Sequence, residues 1–178
     1  MVLVVKEACF MLKKVISGGQ TGVDIAGLEA AKEAGFQTGG YMPRGFLTED
    51  GKKPVYAKEF EVMATSSPDY PDRTRLNIRN SDATLQIAAN WKSRGEKLTS
   101  KIIEELNKKS LQVTVSDPGG EPSEEQAKKV ADWINAEGIT TLNIAGNSES
   151  TCPGIHDWAS KLLRIVFRLI REEGNLGV

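Results

Sequence analysis

The sequence predicts an α/β protein: a three-layer sandwich with a mostly parallel sheet and helices on both faces. Three observations predict it. From residue 13 onward, short β-like runs alternate with amphipathic helical stretches. That alternation builds parallel strands joined by helical crossovers. No internal repeat, low-complexity tract or linker interrupts it. The length of 178 residues suits one domain, and a 39% hydrophobic content is enough to build its core. Right-handed crossovers then leave few orders for the strands.

"KKVIS" (13–17) is the first strand. "TGVDIAGLEAAKEAG" follows as a helix, with Ile25, Leu28, Ala31 and Ala34 as an apolar stripe and Gly35 as its stop. "QTGGYM" (37–42) is a second, glycine-weakened strand. Residues 43–69 are rich in Pro, Gly and charge and read as a long loop, often functional in compact domains. Residues 70–81 form a helix with Pro71 in its first turn, and "DATLQIAA" (82–89) is the clearest buried strand. A helix over 95–110 carries Leu98, Ile102, Ile103 and Leu106, and "LQVTVSD" (111–117) follows as a strand. The helix over 123–138 starts at Ser123 and stops at Gly138. "TTLNIAG" (140–146) is the last core strand, and a long helix runs from Pro153 to about Glu173. Ligands of such sheets bind at the carboxyl ends of the strands, near the switch point. The loops to watch start at Ser17, Met42, Ala89, Asp117 and Ala145.

A net charge of −1 and a pI of about 6.0 give no global electrostatic footprint for nucleic acid or a membrane surface. No apolar run approaches the roughly 18 residues of a membrane span. Cys9 and Cys152 make no disulfide framework and read as reduced thiols of a cytoplasmic protein. "MVLVVKEACF" is interrupted by Lys6 and Glu7 and is too short in its apolar part for a secretory signal. Residues 1–10 are expected to be an extension, with Met11 as an alternative start, and 11–178 a single domain.

"SGGQTGVD" (17–24) joins the first strand to the first helix. Gly18 and Gly19 allow a sharp turn and a close backbone approach. Unpaired N–H groups and the helix dipole at that point suit a phosphate. Gln20 and Thr21 add donors. The plain alternative is a Thr21–Asp24 capping box, since T-x-x-D has the spacing. Capping leaves the glycine pair and Gln20 unexplained. Asp24 is an awkward neighbour for a phosphate, so it should face a sugar hydroxyl, a cation or a water, or only cap. The spacing fits neither the dinucleotide fingerprint nor a P-loop.

"SGGQTGVDIAGLEAAKEAG" with "TGGYMPRGFLTEDG" resembles the family labelled putative molybdenum carriers, part of the SLOG group of Rossmann-like proteins. That group also holds the cytokinin-activating phosphoribohydrolases and the DNA-processing proteins of natural transformation. The S-G-x-A-x-G-[IV]-D turn of the latter is matched by Ser17, Gly18, Gly22, Val23 and Asp24. The family's R-T-x-x-N-x-x-x-S-D segment matches Arg73, Thr74, Asn77, Ser81 and Asp82. Its N-[IV]-A-G…E-S…P-G-I segment matches Asn143 to Gly146, Glu149, Ser150 and Pro153 to Ile155. The resemblance spans roughly residues 14–170. It implies a Rossmann-like fold, a phosphorylated small ligand and self-association into a homo-oligomer.

Arg44 lies in the loop after the second strand, where the family motif has a basic residue and where a guanidinium can clamp a phosphate. Arg73, Asn77 and Asn80 share one helix face, directed at a ligand or outward. Arg75 and Arg79 form a second pair, expected in solvent or at an interface. After the third strand the family has G-[ST]-x-x-T. Here Gly95 and Thr99 remain, but Arg94, Glu96 and Lys97 surround them. Trp91 either stacks on a planar ring or is half-buried. "DPGGEPSEEQ" departs from the phosphoribohydrolase signature P-G-G-x-G-T-x-x-E at Pro122, Ser123 and Gln126, and instead reads as a Ser123–Gln126 capping box. Gly146, Asn147, Ser148, Ser150 and Thr151 offer polar groups at the last strand-to-helix junction. His156 and Cys152 read as structural, without metal-ligand spacing.

Two functions compete. One is a binding or carrier protein for a phosphate-bearing planar ligand, by resemblance a molybdenum cofactor (molybdopterin) or a nucleotide. Its binding set would be Gly18, Gly19, Gln20, Thr21, Gly22, Asp24, Arg44, Arg73, Asn77, Gly95, Thr99, Gly146 and Ser150, with no metal ligand. The alternative is a nucleotide-processing hydrolase of the N-glycosidase type, with Asp24 or Glu49 as acid/base. Single-stranded DNA binding, by analogy with the DNA-processing proteins, is opposed by the near-neutral charge.

Overall fold

A computed structural model describes residues 12–175. The expected extension over 1–10, with Cys9 and Met11, lies outside the described residues.

Six strands form one parallel sheet. In chain order they are β1 (Lys14–Ser17), β2 (Gln37–Met42), β5 (Val62–Ala64), β6 (Ala83–Ala88), β7 (Lys109–Thr114) and β8 (Thr141–Gly146). Between β2 and β5 a two-residue-per-strand hairpin, β3 (Leu47–Thr48) and β4 (Gly51–Lys52), stands apart from the sheet and precedes a short helix, α2 (Tyr56–Glu59). The remaining helices are α1 (Val23–Glu33), α3 (Tyr70–Arg79), α4 (Arg94–Glu105), α5 (Glu124–Ala136) and α6 (Ile155–Asn175). The sheet order is β5-β2-β1-β8-β6-β7, every neighbouring pair parallel. The last strand of the chain thus sits in the middle, in register with Ser17 through Ile144 and with Ile87 through Gly146.

Side-chain alternation assigns the layers. Leu85, Ile87, Leu142 and Ile144 face α1, α5 and α6 in the large core, where Val23, Ala127, Ile134, Leu162 and Phe167 are buried. The intervening residues Thr84, Gln86 and Asn143 face the other way and are equally buried. Their polar groups are paired. Asn143 Nδ2 donates to Thr84 Oγ1 at 3.2 Å, and Gln86 Nε2 donates to Ser100 Oγ of α4 at 3.3 Å. α3 and α4 cover this second face and share a core of Ile78, Ile102 and Ile103. Among the described residues no helix is long and apolar enough to cross a membrane.

Two expectations change. The 43–69 stretch is not all loop, because it supplies the hairpin, α2 and the edge strand β5. Only Val62 of β5 is buried, so a three-residue strand left no apolar run to read. The 95–110 helix ends at Glu105, and Asn107 takes φ 50° in the turn that starts β7 two residues early. The Ser123–Gln126 capping box forms as expected.

Candidate functional site at the carboxyl edge of the sheet

The loops after β1, β6 and β8 converge at the carboxyl edge. The helices after β1 and β8 go to one face and α4, after β6, to the other, so the switch point lies between β8 and β6. Asn147 staples it. Its Oδ1 accepts the Ala89 and Asn90 N–H groups at 2.9 and 2.8 Å, and its Nδ2 donates to Asn90 O at 3.1 Å.

Asp24, in the first turn of α1, is buried and pairs with Arg73 of α3 at 3.0 Å. Arg73 lies over Gly18: a Cβ there would stand 1.5 Å from Nη1. A side chain at 18 would therefore push the guanidinium off its place over the loop. Burial pushes the Asp24 carboxyl up, and Arg73 with the Gln20 and Gly146 N–H groups restores only part of the shift. Arg73 Nε is buried without a partner among the described residues. The guanidinium carbon stands 5.5 Å from the Tyr70 ring centre.

The Thr21–Asp24 capping box does not form. The N-cap is Gly22, with no side-chain cap. Thr21 Oγ1 instead donates to Glu49 Oε1 at 2.7 Å and accepts the Glu149 N–H at 3.2 Å. Gln20 Oε1 accepts the N–H groups of Thr21 and Glu49, both at 2.9 Å, and its Nε2 donates to Tyr70 Oη at 3.2 Å. Gly19 and Gly22 turn the loop with φ of 66° and 81°, and their N–H groups make no hydrogen bond among the described residues.

A second buried carboxyl faces this loop from α4. Glu96 accepts the Ser93 hydroxyl. Burial pushes its carboxyl up, and the charge of Asp24 pushes in the same direction. Glu96 stands where the resembled family has Ser or Thr. The S-x-x-E spacing of Ser93 and Glu96 was the available signal for it.

The other expected residues divide. Ser150 Oγ lies 3.3 Å from Ser148 Oγ, beside Glu49. Gly146 packs against Val23 and the Ile87 carbonyl. Gly95 is exposed in the first turn of α4, and Thr99 is buried one turn on. Asn77 is committed to the fold: it accepts the Tyr41 N–H at 2.9 Å and donates to Tyr41 O at 3.0 Å. Arg44 is exposed and makes no ion pair among the described residues. Asn80 donates back to Leu76 O, and Arg75 pairs with Glu105. The Trp91 indole N–H donates to Thr114 Oγ1 at 3.0 Å, which ties the ring to the end of β7. Among the described residues no group of three His, Cys, Asp or Glu is placed to hold a metal.

Thr21 also lines a cavity of about 300 Å³ between α1, the hairpin and the start of α6. His156 stands in its wall, with Nε2 2.8 Å from Glu29 and Nδ1 3.1 Å from Asp157. The hydrogen bond to Glu29, more than burial, sets its pKa, raised to about 9. A raised folded-state pKa adds stability that is complete below the unfolded value of 6.5 and is lost as pH rises through about 9. Solvent screening limits this to about 1 kcal/mol. Urea midpoints should therefore fall between about pH 6 and pH 9.5 in the native protein and stay flatter in His156→Gln.

A family model described as the circularly permutated YpsA SLOG family matches residues 15–167. The crystal structure of a protein from Syntrophus aciditrophicus SB, titled "Putative molybdenum carrier protein", superposes with a TM-score of 0.79. It is 31% identical, over 88% of this chain and 95% of that one. No curated protein matches the chain. With the model spanning most of the chain and the Rossmann-like sheet shared with a solved relative, the chain belongs to the circularly permutated YpsA SLOG family.

Proposed function

We propose that the protein binds a phosphate-bearing planar ligand at the carboxyl edge of the sheet and acts as a binding or carrier protein. The ligand class is a nucleotide or, as the name of the Syntrophus relative suggests, a molybdenum cofactor. Arg73 carries the reading. It holds a guanidinium over the β1–α1 loop with a buried Nε unpartnered among the described residues, beside the N-terminus of an 11-residue helix. Unused donors next to a positive helix end are what an oxyanion needs. Asp24 and Glu96 supply acceptors for ligand hydroxyls. The buried thiol of Cys152 fits a reducing, cytoplasmic setting. Self-association, implied by the family, is read by light scattering.

The test is thermal stability against nucleoside mono-, di- and triphosphates, NAD, pterins and molybdate. A ligand at about 100 times its Kd adds roughly 2.7 kcal/mol. That raises Tm by about 5–10 °C for a chain of this size. The shift should vanish in Arg73→Met, each protein measured against its own ligand-free Tm. No shift from any phosphorylated ligand would sink the reading.

One observation favours an N-glycosidic hydrolase as a second reading: Asp24 and Glu96 are two neighbouring carboxyls, both pushed toward holding a proton. Release of free base from a nucleoside monophosphate, abolished in Asp24→Asn, would support it.

A further inference from the structure

The tip of the β3–β4 hairpin crosses the carboxyl edge, and its Glu49 carboxylate does what a bound anion would do. Thr21 Oγ1 donates to Glu49 Oε1 at 2.7 Å. The Glu149 N–H occupies a lone pair of that same Thr21 oxygen, which leaves the hydroxyl proton aimed at the carboxylate. Ser148 and Ser150 stand beside the same carboxylate, with their hydroxyls 3.3 Å apart and the Ser148 hydroxyl donating to Thr151 Oγ1 at 3.0 Å. Although partial burial works against it, these donors hold Glu49 below the usual carboxylate range. Thr21, Ser148 and Ser150 come from two different strand-to-helix loops, so the donor set converges through the fold and not through one local turn.

Little else fixes the occupant. Glu49 is exposed, and each strand of its hairpin is two residues long. The hairpin pairs only with itself, outside the main sheet. The hairpin itself is held by the Glu49 N–H on Gln20 Oε1 at 2.9 Å, by buried Thr48 and by Phe46 packed on the Ile25–Leu28 cluster, so displacement needs only the exposed Glu49 side chain to swing away.

We propose that Thr21, Ser148 and Ser150 form an anion subsite that Glu49 fills in the ligand-free protein, and that an incoming phosphate monoester takes over by displacing Glu49. This rests on the phosphorylated-ligand reading above and adds to it where one phosphate sits and what it competes with. An internal competitor lowers apparent affinity by the fraction of molecules whose site is free. If Glu49 fills the subsite about nine-tenths of the time, removing it should tighten phosphate binding about tenfold.

Inorganic phosphate is the probe, titrated calorimetrically into the native protein, Glu49→Ala, Glu49→Gln and Glu49→Ala/Thr21→Val. The expected result is about tenfold tighter binding in Glu49→Ala, a smaller gain in the shape-preserving Glu49→Gln, and loss of the gain when Thr21 also becomes Val. Equal or weaker binding in both Glu49 variants overturns the proposal, as does a gain that survives Thr21→Val. The two readings fail separately. Equal, Arg73-dependent binding of a panel ligand by the native protein and Glu49→Ala would remove the Glu49 competition and keep the Arg73 site. Tight phosphate binding by Glu49→Ala that Arg73→Met leaves untouched would keep the subsite and remove Arg73 from it.

Discussion

Asp24→Ala is expected to destabilise the protein by about 3–5 kcal/mol, and Arg73→Met by clearly less, although each breaks the same ion pair. The asymmetry comes from what remains behind. Arg73 and Asp24 have side chains only 13% and 6% exposed, so either survivor is stranded away from water. A stranded guanidinium cannot shed its proton. A stranded carboxyl can take one up, and burial already pushes Asp24 in that direction. At 2–4 °C per kcal/mol, the alanine variant should melt roughly 6–20 °C lower. Arg73→Met should also show a stronger pH dependence than the native protein, of the same sign. With its partner gone, the folded-state pKa of Asp24 rises further above its unfolded value. Stability is then greatest in acid and is lost as pH rises through the folded pKa. Urea midpoints of the two variants across acid and neutral pH check both parts. Equal losses, or an Arg73→Met protein that gains nothing on acidification, would mean that Asp24 is better solvated than its position implies.

The same pair shows what was legible in the sequence and what was not. The alternation of β-like runs and helical stripes marks five of the six sheet strands, each four to six residues long and set between helical stretches. Edge strand β5 buries one residue and left no such trace. The order of strands is set by packing of helices tens of residues away, so the central placement of β8 is not written in its own residues. The motif blocks carried more architecture than chemistry. In the Arg73-to-Asp82 block, Asn77 binds the Tyr41 backbone, Ser81 Oγ donates to Ile78 O, and Asp82 accepts both Thr140 and Thr141 N–H groups at 2.8 Å. Arg73 alone among these reaches the β1–α1 loop. Glu49, in contrast, sits in a stretch with no periodicity, and its meeting with Thr21 spans a 28-residue separation. Contacts of that kind arise from tertiary docking, which local pattern does not encode.

Gly146 and Gly95 look alike in the sequence, each beside a strand-to-helix junction, yet alanine should act on them in opposite directions. A Cβ at Gly146 would stand 1.9 Å from the Ile87 carbonyl oxygen and 2.8 Å from Val23 Cγ2. The first is backbone of the neighbouring strand and has no rotamer to give. That carbonyl also accepts the Asn147 N–H at 3.2 Å, so relief by separating β8 from β6 loosens the staple at the switch point. Overpacking of this kind costs about 3 kcal/mol or more, and Gly146→Ala should melt at least roughly 6 °C lower. At Gly95 the nearest atom to a new Cβ is Ser93 Oγ at 4.0 Å. The residue is helical, so alanine there should raise stability by about 0.4–1 kcal/mol through a less flexible unfolded chain. Nothing in the fold therefore asks for glycine at 95. If a phosphate approaches the N-terminus of α4, Gly95→Ala should weaken ligand affinity while raising Tm. A variant that is more stable and binds a panel ligand unchanged would remove Gly95 from the ligand site and confine binding to the loops after β1 and β8.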